Sequence, residues 1–543
     1  MRRFSVLFLI TGCAVQGETD IQIQAAEGSI ADTAAPSISI LSPNRGEWGG
    51  EGDIMVTGEF TDAGGVAAAT INGIEIPMQS VEQTQAFSAP VSLAPGINTV
   101  VLTATDASGN ISESRISVMG GQAMPVESKI RKASVVEINN PMFDMLTMPL
   151  SNNMGNRELI NDSVEQDTWS DCAVFEGTVD SIMLGDAIVA VTPGEDFFNV
   201  TVSFSSLAAS YTGVADICGI EEDFSVTVSD HAPFYSAMVS LSVEEGELVA
   251  SIEESSMDMS EAMMVSNVDS DLADHGMTLV DVGIDEMLAT MIAGSMDTMI
   301  PQALPTALDS LIPDGIGIEG IGSSEISYNM EGVRVDMDGI GIAYSAEVSQ
   351  DEDAVNMAPG AVYIPVRGGD RHTDASIVTS TTVNLMNRAI HSAWESGNVT
   401  AAVNAEDKGI TVSTWTTMPP VIQPGTETTM NIGEMHVALN DEDSLVTRYS
   451  VQASADISFD TDEAGNPIMV ATLNDWHGTL LDGVEDTTLD SEIAEAVQAT
   501  FDAAIPRIAH QQSAAANMES VTADVTGNNN DWMTISYTVN DGE

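Results

Sequence analysis

The chain has 543 residues, room for three or four domains, and its 43% hydrophobic share allows sizeable cores. Its charge is extreme: 83 acidic residues stand against 15 basic ones, for a formal net charge of −68. A field of that sign repels nucleic acid and anionic membrane surfaces, which excludes both as electrostatic partners.

The N-terminus reads as a targeting segment and is set apart from the fold. Arg2 and Arg3 precede a short apolar run, Phe4 to Ile10, and then Ile10-Thr11-Gly12-Cys13. This tetrapeptide resembles the lipobox of bacterial lipoproteins. The resemblance implies removal of residues 1–12, a diacylglycerol with palmitate-type chains on the Cys13 thiol, and a place in the bacterial cell envelope, at the outer membrane. The expected membrane partner is reached through that anchor, not through a spanning helix. Residues 13–35 are small and polar and read as a tether.

Residues 36–119 have β texture. Ser37–Leu41, Ile54–Thr61, Val66–Ile71, Ala86–Leu93, Asn98–Thr105 and Ile111–Val118 alternate or run apolar between Gly, Asn, Pro and Asp turns. So many short strands fit a β-sandwich. The stretches Leu93-Ala94-Pro95-Gly96-Ile97-Asn98 and Asp106-Ala107-Ser108-Gly109-Asn110 resemble the last turns of bacterial immunoglobulin-like domains. Such a module is expected to act as a spacer.

After a Gly/Pro linker, residues 128–350 form the next unit. Val135–Ile138 leads into a helical stretch at Pro141–Leu150, and strands follow at Ala173–Leu184, Ala187–Val191, Phe197–Ala208, Phe224–Val228, Phe234–Val243 and Glu247–Ile252. Cys172 and Cys218 are an even pair in an exported chain, which points to a disulfide, with two free thiols as the alternative. The longest apolar-periodic run, Leu279–Ile312, reads as an amphipathic helix of about 50 Å, with Thr278 and Asp281 as its cap and a kink or break at Pro301 and Pro305. Further strands are expected at Glu325–Met330, Gly332–Met337 and Ile340–Glu347.

Residues 360–543 repeat that order. Ala361–Val366 precedes a strand at Ile377–Thr382, which runs into a helix with Val383, Met386, Ile390 and Trp394 on one face and a cap at Gly397. Strands follow at Val399–Val403, Gly409–Thr414, Thr429–Leu439, Val446–Phe459 and Pro467–Leu473. A second long helix, Ser491–Gln511, is interrupted by Pro506, and strands Ser520–Val525 and Met533–Val539 close the chain. The fold class is therefore an all-β immunoglobulin-like sandwich followed by α+β, with two antiparallel sheets each rolled about a long amphipathic helix.

This order resembles the tubular lipid-binding superfamily that includes the bactericidal/permeability-increasing protein and the plasma lipid-transfer proteins. The resemblance lies in Ala133-Ser134-Val135-Val136-Glu137-Ile138-Asn139-Asn140-Pro141-Met142-Phe143-Asp144, in the stretch from Ile377 to Gly397, and in Cys172 and Cys218 within the first half. It implies grooves for acyl chains between sheet and helix, and a disulfide in the first half. Candidate groove residues are Ile284, Met287, Leu288, Met291, Met386, Ile390 and Trp394. The Met287, Met291, Met296, Met299 stripe reads first as core, with an adaptable acyl surface as the second reading. Members that bind anionic lipopolysaccharide use Lys/Arg-rich tips, and this chain has few basic residues with which to do so.

No G-x-S-x-G elbow, H-E-x-x-H or P-loop occurs, and the seven His are scattered, so no enzyme, cofactor or metal is expected. Asp460-Thr461-Asp462-Glu463-Ala464-Gly465-Asn466 has the look of a calcium loop but lacks an EF-hand's third acidic ligand and terminal Glu, so a hairpin turn is expected; Asp336-Met337-Asp338-Gly339 has that look more weakly still. The functional expectation is a membrane-anchored exported lipoprotein that binds or transfers a lipid or other apolar small molecule. The alternative is a surface structural or adhesive protein that binds protein or glycan through its β-rich domains.

Overall fold

The computed structural model describes residues 32–539, apart from 82–83, 156, 160–163, 171–172, 218, 231, 261, 267–272, 313–316, 351–353, 367–373, 406–407, 442–443, 464–465, 484–486, 510–517 and 528–529. The leader, Cys13, most of the tether, Cys172 and Cys218 lie outside the described residues. The chain is mostly β, in several sheets.

The N-terminal unit has two sheets. One orders Ser37–Ser42, Gly52–Thr61, Thr84–Leu93 and Met78–Val81; the other orders Trp48–Gly50, Ile111–Gly120, Gly96–Asp106, Val66–Ile71 and Ile74–Glu75. Alternate residues of both sheets meet in one apolar cluster, with Val56, Phe60 and Phe87 from the first and Val100, Leu102 and Ile116 from the second. The Phe60 and Phe87 rings stack at 4.7 Å. Three strands, Trp48–Gly50, Ile74–Glu75 and Met78–Val81, were not expected, because two to four residues are too few to display a period. This unit does not stand apart. Met119 belongs to the large core of the rest of the chain, and Trp48 and Ile97 pack against it.

The two halves share a six-stranded sheet with the order Ser324–Asp336, Gly339–Gln350, Ile130–Asn139, Ile377–Thr382, Trp532–Val539 and Met518–Thr526. Three strands come from each half, in mirrored order about the central antiparallel pair, where Val136 faces Thr379 and Ile138 faces Ile377. The strand that opens each half therefore pairs with its counterpart, and each runs on into helix. Asn140–Leu146 is a 3-10 helix continuing into α1 (Thr147–Met154), and Ile377–Thr382 runs into α3 (Val383–Glu395). Two further sheets complete the first half and one completes the second, so the expectation of one sheet per half is too few. Phe197–Ala208 is not one strand but parts of two, Phe198–Phe204 and Leu207–Ile217, which turn at Ser205-Ser206 with no Gly or Pro to mark the break. Glu325–Met337 is the reverse case: one strand, Ser324–Asp336, with a bulge between Met330 and Gly332.

Helix α2 spans Ala273–Asp309, so Thr278 lies inside it and does not cap it. It runs through Pro301 and Pro305 without the expected break. An interior proline costs about 3 kcal/mol. Here Ile300, Leu304 and Leu308 are all 0% exposed and flank both prolines, and each stabilises the helical register by about 1.5–3 kcal/mol. Ile284, Leu288, Ile292, Met296, Ile300, Leu304 and Leu308 recur at intervals of four and are all buried. On a helix of 3.6 residues per turn, each such step drifts by about 40°. The buried line thus winds around the helix, and its cover must reach more than one side. Strand Glu247–Asp258 and α1 supply part of that cover. Asp297 ties it down, accepting hydrogen bonds from Tyr235 Oη at 2.6 Å and Ser255 Oγ at 3.1 Å. The counterpart in the second half, α4 (Asp490–Ala504), buries Ile493, Val497 and Phe501 and ends before Pro506, short of the expected Gln511.

Candidate functional site

The seven groove residues expected from sequence fall into two groups on different helices. On α2, Ile284 and Leu288 are in the buried line, while Met287 and Met291 are partly buried against the same core. On α3, Met386, Ile390 and Trp394 are buried, and Trp394 Nε1 donates to the Thr416 carbonyl at 3.0 Å. None of the seven lines the cavity described next.

That cavity, ≈ 530 Å³, lies beside the central strand pair. One wall begins where Ala123–Met124 pairs with Ala361–Val362 and Tyr363 N donates to the Gln122 carbonyl. The Asn384 side chain extends this wall. Its Oδ1 accepts the Ile364 N–H at 2.8 Å and its Nδ2 donates to the Ile364 carbonyl at 2.8 Å, so one amide plays the part of a strand partner. The opposite wall is a bulge. Between Ile130 and Ser134 the strand carries two more residues than its partner, and Lys132 sits at φ 48°. The extra residues turn Arg131 and Lys132 outward.

The lining combines cations with apolar surface. Lys129, Arg131 and Lys132 share the lining with Met124, Ile130 and Val366 and with the aromatic Tyr363 and Trp532. Trp532 is buried and Tyr363 is exposed. Arg131 pairs with Glu331, whose carboxylate also accepts the Lys132 N–H at 3.0 Å. Burial alone raises the Glu331 pKa, but the hydrogen bonds from Arg131 and Lys132 and the charges of Arg131 and Lys129 outweigh it and hold the carboxyl below its ordinary range. Among the described residues, the lining has no imidazole, thiol or carboxylate. The lining offers cations to an anionic group and apolar walls to a body attached to it.

Sequence reasoning missed this cavity, though one signal was present. Lys129 and Lys132 are two of only three lysines in the chain. Their other partners arrive from far along it, Tyr363 by way of the linker between halves and Trp532 from the last strand.

Other candidates resolve otherwise. Asp462 accepts the Asn466 N–H and its Nδ2, and Thr461 faces Pro467 across paired strands, which makes this loop a hairpin turn. Asp336–Gly339 likewise closes a hairpin, with Asp338 N donating to Asp336 Oδ1. His391 is buried 3.5 Å from Glu395, and His436 stacks on Trp415 at 5.1 Å.

No family model and no curated protein sequence matches the chain. Solved structures similar to it include a lipopolysaccharide binding protein, at 9% identity over 75% of this chain and 99% of that one, with a TM-score of 0.41. Two others are P47 of Clostridium botulinum E1 and P47 from Clostridium botulinum A2. Both are 8% identical over 76% of this chain, covering 100% and 99% of theirs, with TM-scores of 0.27 and 0.28.

Proposed function

We propose that the chain is an exported, lipid-anchored protein of the bacterial cell envelope that binds an anionic amphiphile and catalyses no reaction on it. The observation that carries this reading is the gathering of Lys129, Arg131 and Lys132 over a cavity walled by Tyr363 and Trp532, in a chain of net charge −68. Cations scarce everywhere else are placed where an anionic group can be paired and its apolar body covered. Long-range attraction cannot supply the affinity, because the acidic surface repels any anion and salt screens beyond about 8–10 Å. The contacts must be made at close range. The partly buried Met287, Met291 and Met299 along α2 support a further apolar surface for a longer acyl chain. Anchoring rests on the lipobox ending at Cys13.

Titration calorimetry of the full chain carrying Cys13→Ser tests the binding. Oleate and dodecyl phosphate are expected to bind, and inorganic phosphate and dodecyl maltoside to bind far more weakly. Removing two exposed charges in Lys129→Gln/Lys132→Gln should weaken the anionic amphiphiles by up to about tenfold. Absence of binding, or equal binding by the double variant, rejects the reading. For the anchor, metabolic labelling with palmitate is expected to mark the native chain in a bacterial host and to leave Cys13→Ser unlabelled and soluble.

A further inference from the structure

The cationic wall of the cavity depends on two bulges that flank one strand. In Ser324–Asp336, Glu331 lies between Met330 and Gly332, which face Tyr344 and Ala343, so it has no register partner of its own. In Ile130–Asn139, residues 131–133 lie between Ile130 and Ser134, which face Ala346 and Tyr344. Strand Gly339–Gln350 runs between the two, and its Tyr344 adjoins both irregularities. Glu331 therefore reaches across a whole strand, about 9–10 Å between backbones, to meet Arg131 and Lys132.

Each oxygen of that carboxylate has its own task. Oε1 accepts from Arg131 Nε, and Oε2 accepts the Lys132 N–H at 3.0 Å. Lys132 holds φ 48°, a left-handed conformation that a lysine rarely adopts, and a bulged residue has no ladder bond to keep it there. The bond to Oε2 supplies that hold. The Glu331 side chain is 18% exposed and that of Arg131 82%, so the acid is the covered, fixed partner and the arginine the free end. Glu331 does not line the cavity, and it acts from behind the cations that do. Burial opposes its charge, while the bonds from Arg131 and Lys132 and the charges of Arg131 and Lys129 favour it. The attraction is mutual, so the carboxylate lowers the positive potential that an anion meets at those cations.

We infer that Glu331 is a built-in counter-ion of this site, a positioning residue that shapes the cationic bulge and competes with the ligand for its charge. The inference rests on reading the cavity as the site of an anionic amphiphile. In the empty site, Glu331 offsets the mutual repulsion of the cations and keeps the bulge in its binding shape, so little ordering is left for the ligand to drive. In the filled site, the anionic group shares Arg131 and Lys129 with the carboxylate. Affinity is thereby held below what the cations alone would give, and the ligand can be released.

Calorimetry with dodecyl phosphate, on the full chain carrying Cys13→Ser, tests this through two further substitutions. Glu331→Gln keeps an oxygen for the Lys132 N–H and drops the charge, whereas Glu331→Ala drops both. The Gln variant is expected to bind about threefold more tightly than the chain with Glu331 at low salt. That gain should vanish in about 0.5 M sodium chloride, where screening reaches down to a few ångströms. The Ala variant should bind more weakly than the Gln variant, and only in it should the Lys132 amide exchange quickly with deuterium. A Gln variant that binds no more tightly, or a gain that survives salt, overturns the competition for charge. An Ala variant that matches Gln in affinity and amide exchange overturns the shaping of the bulge. No binding by the chain with Glu331 in place rejects the reading of the cavity itself, and this inference with it.

Discussion

Glu434 accepts the backbone N–H of Ser117 at 2.7 Å across 317 residues of sequence. It is 2% exposed, and Arg45 approaches both of its oxygens at 3.3 Å. One carboxylate thus gathers donors from the N-terminal β unit and from the second half, and the unit is fastened to the rest where a spacer would hang free. Glu434→Leu leaves the Ser117 N–H and the Arg45 charge without their partner. Because Arg45 is partly exposed, the expected loss is about 2–3 kcal/mol, below the full cost of breaking a buried pair. Urea unfolding should show the lower midpoint, and limited proteolysis should cut faster in the linker at 120–127.

The two faces of α2 should respond differently to truncation. Ile292 is 0% exposed in the buried line, and Ile292→Ala is expected to cost about 2–5 kcal/mol. Met291, one residue earlier, is only partly buried, and Met291→Ala should cost markedly less. If Met291 belongs to an acyl surface, its substitution will instead weaken long-chain amphiphiles relative to short ones in the same calorimeter. Equal stability losses for the two variants would contradict the winding buried line.

Acid should weaken the interface through His436, which stacks on Trp415. Burial, then the charges of Arg448 and Arg45, lower its pKa. A histidine lowered in the folded state binds its proton more readily unfolded. Its stabilising share is therefore complete above its ordinary pKa near 6.5 and declines as pH falls from there toward the folded value. His436→Gln should flatten the loss of stability as pH falls below about 6.5. An unchanged slope in thermal unfolding would remove His436 as its source.

Cys172 and Cys218 lie outside the described residues, and their pairing is proposed from sequence. Ala173 and Ile217 are register partners on adjacent antiparallel strands. Denatured, unreduced protein should show no free thiol from this pair. Reduction should cost roughly 4 kcal/mol in the chain-entropy model for a loop of this size. Two titratable thiols in protein from an oxidising compartment would refute the bond.

What could be read from sequence was periodic and local. Val66–Ile71, Ala173–Leu184 and Ile377–Thr382 appear as strands at the residues where alternation places them. The four-residue recurrence from Ile284 to Leu308 marked the buried line of α2. The failures were also local. Ser205-Ser206 turns without a Gly or Pro, and Pro301 and Pro305 sit in a helix that tertiary burial holds together.

The cavity could not be read in this way. Lys129 and Lys132 were visible as rare charges, but their meaning depends on Trp532 and Tyr363, which reach them only through the register of the shared central sheet. Glu434 looked like an ordinary strand residue until the N-terminal unit docked on it. Sequence determined which residues face inward, because burial follows the period of each element. Only the tertiary structure decided where inward-facing surfaces fail to close, because that depends on how distant strands are set side by side.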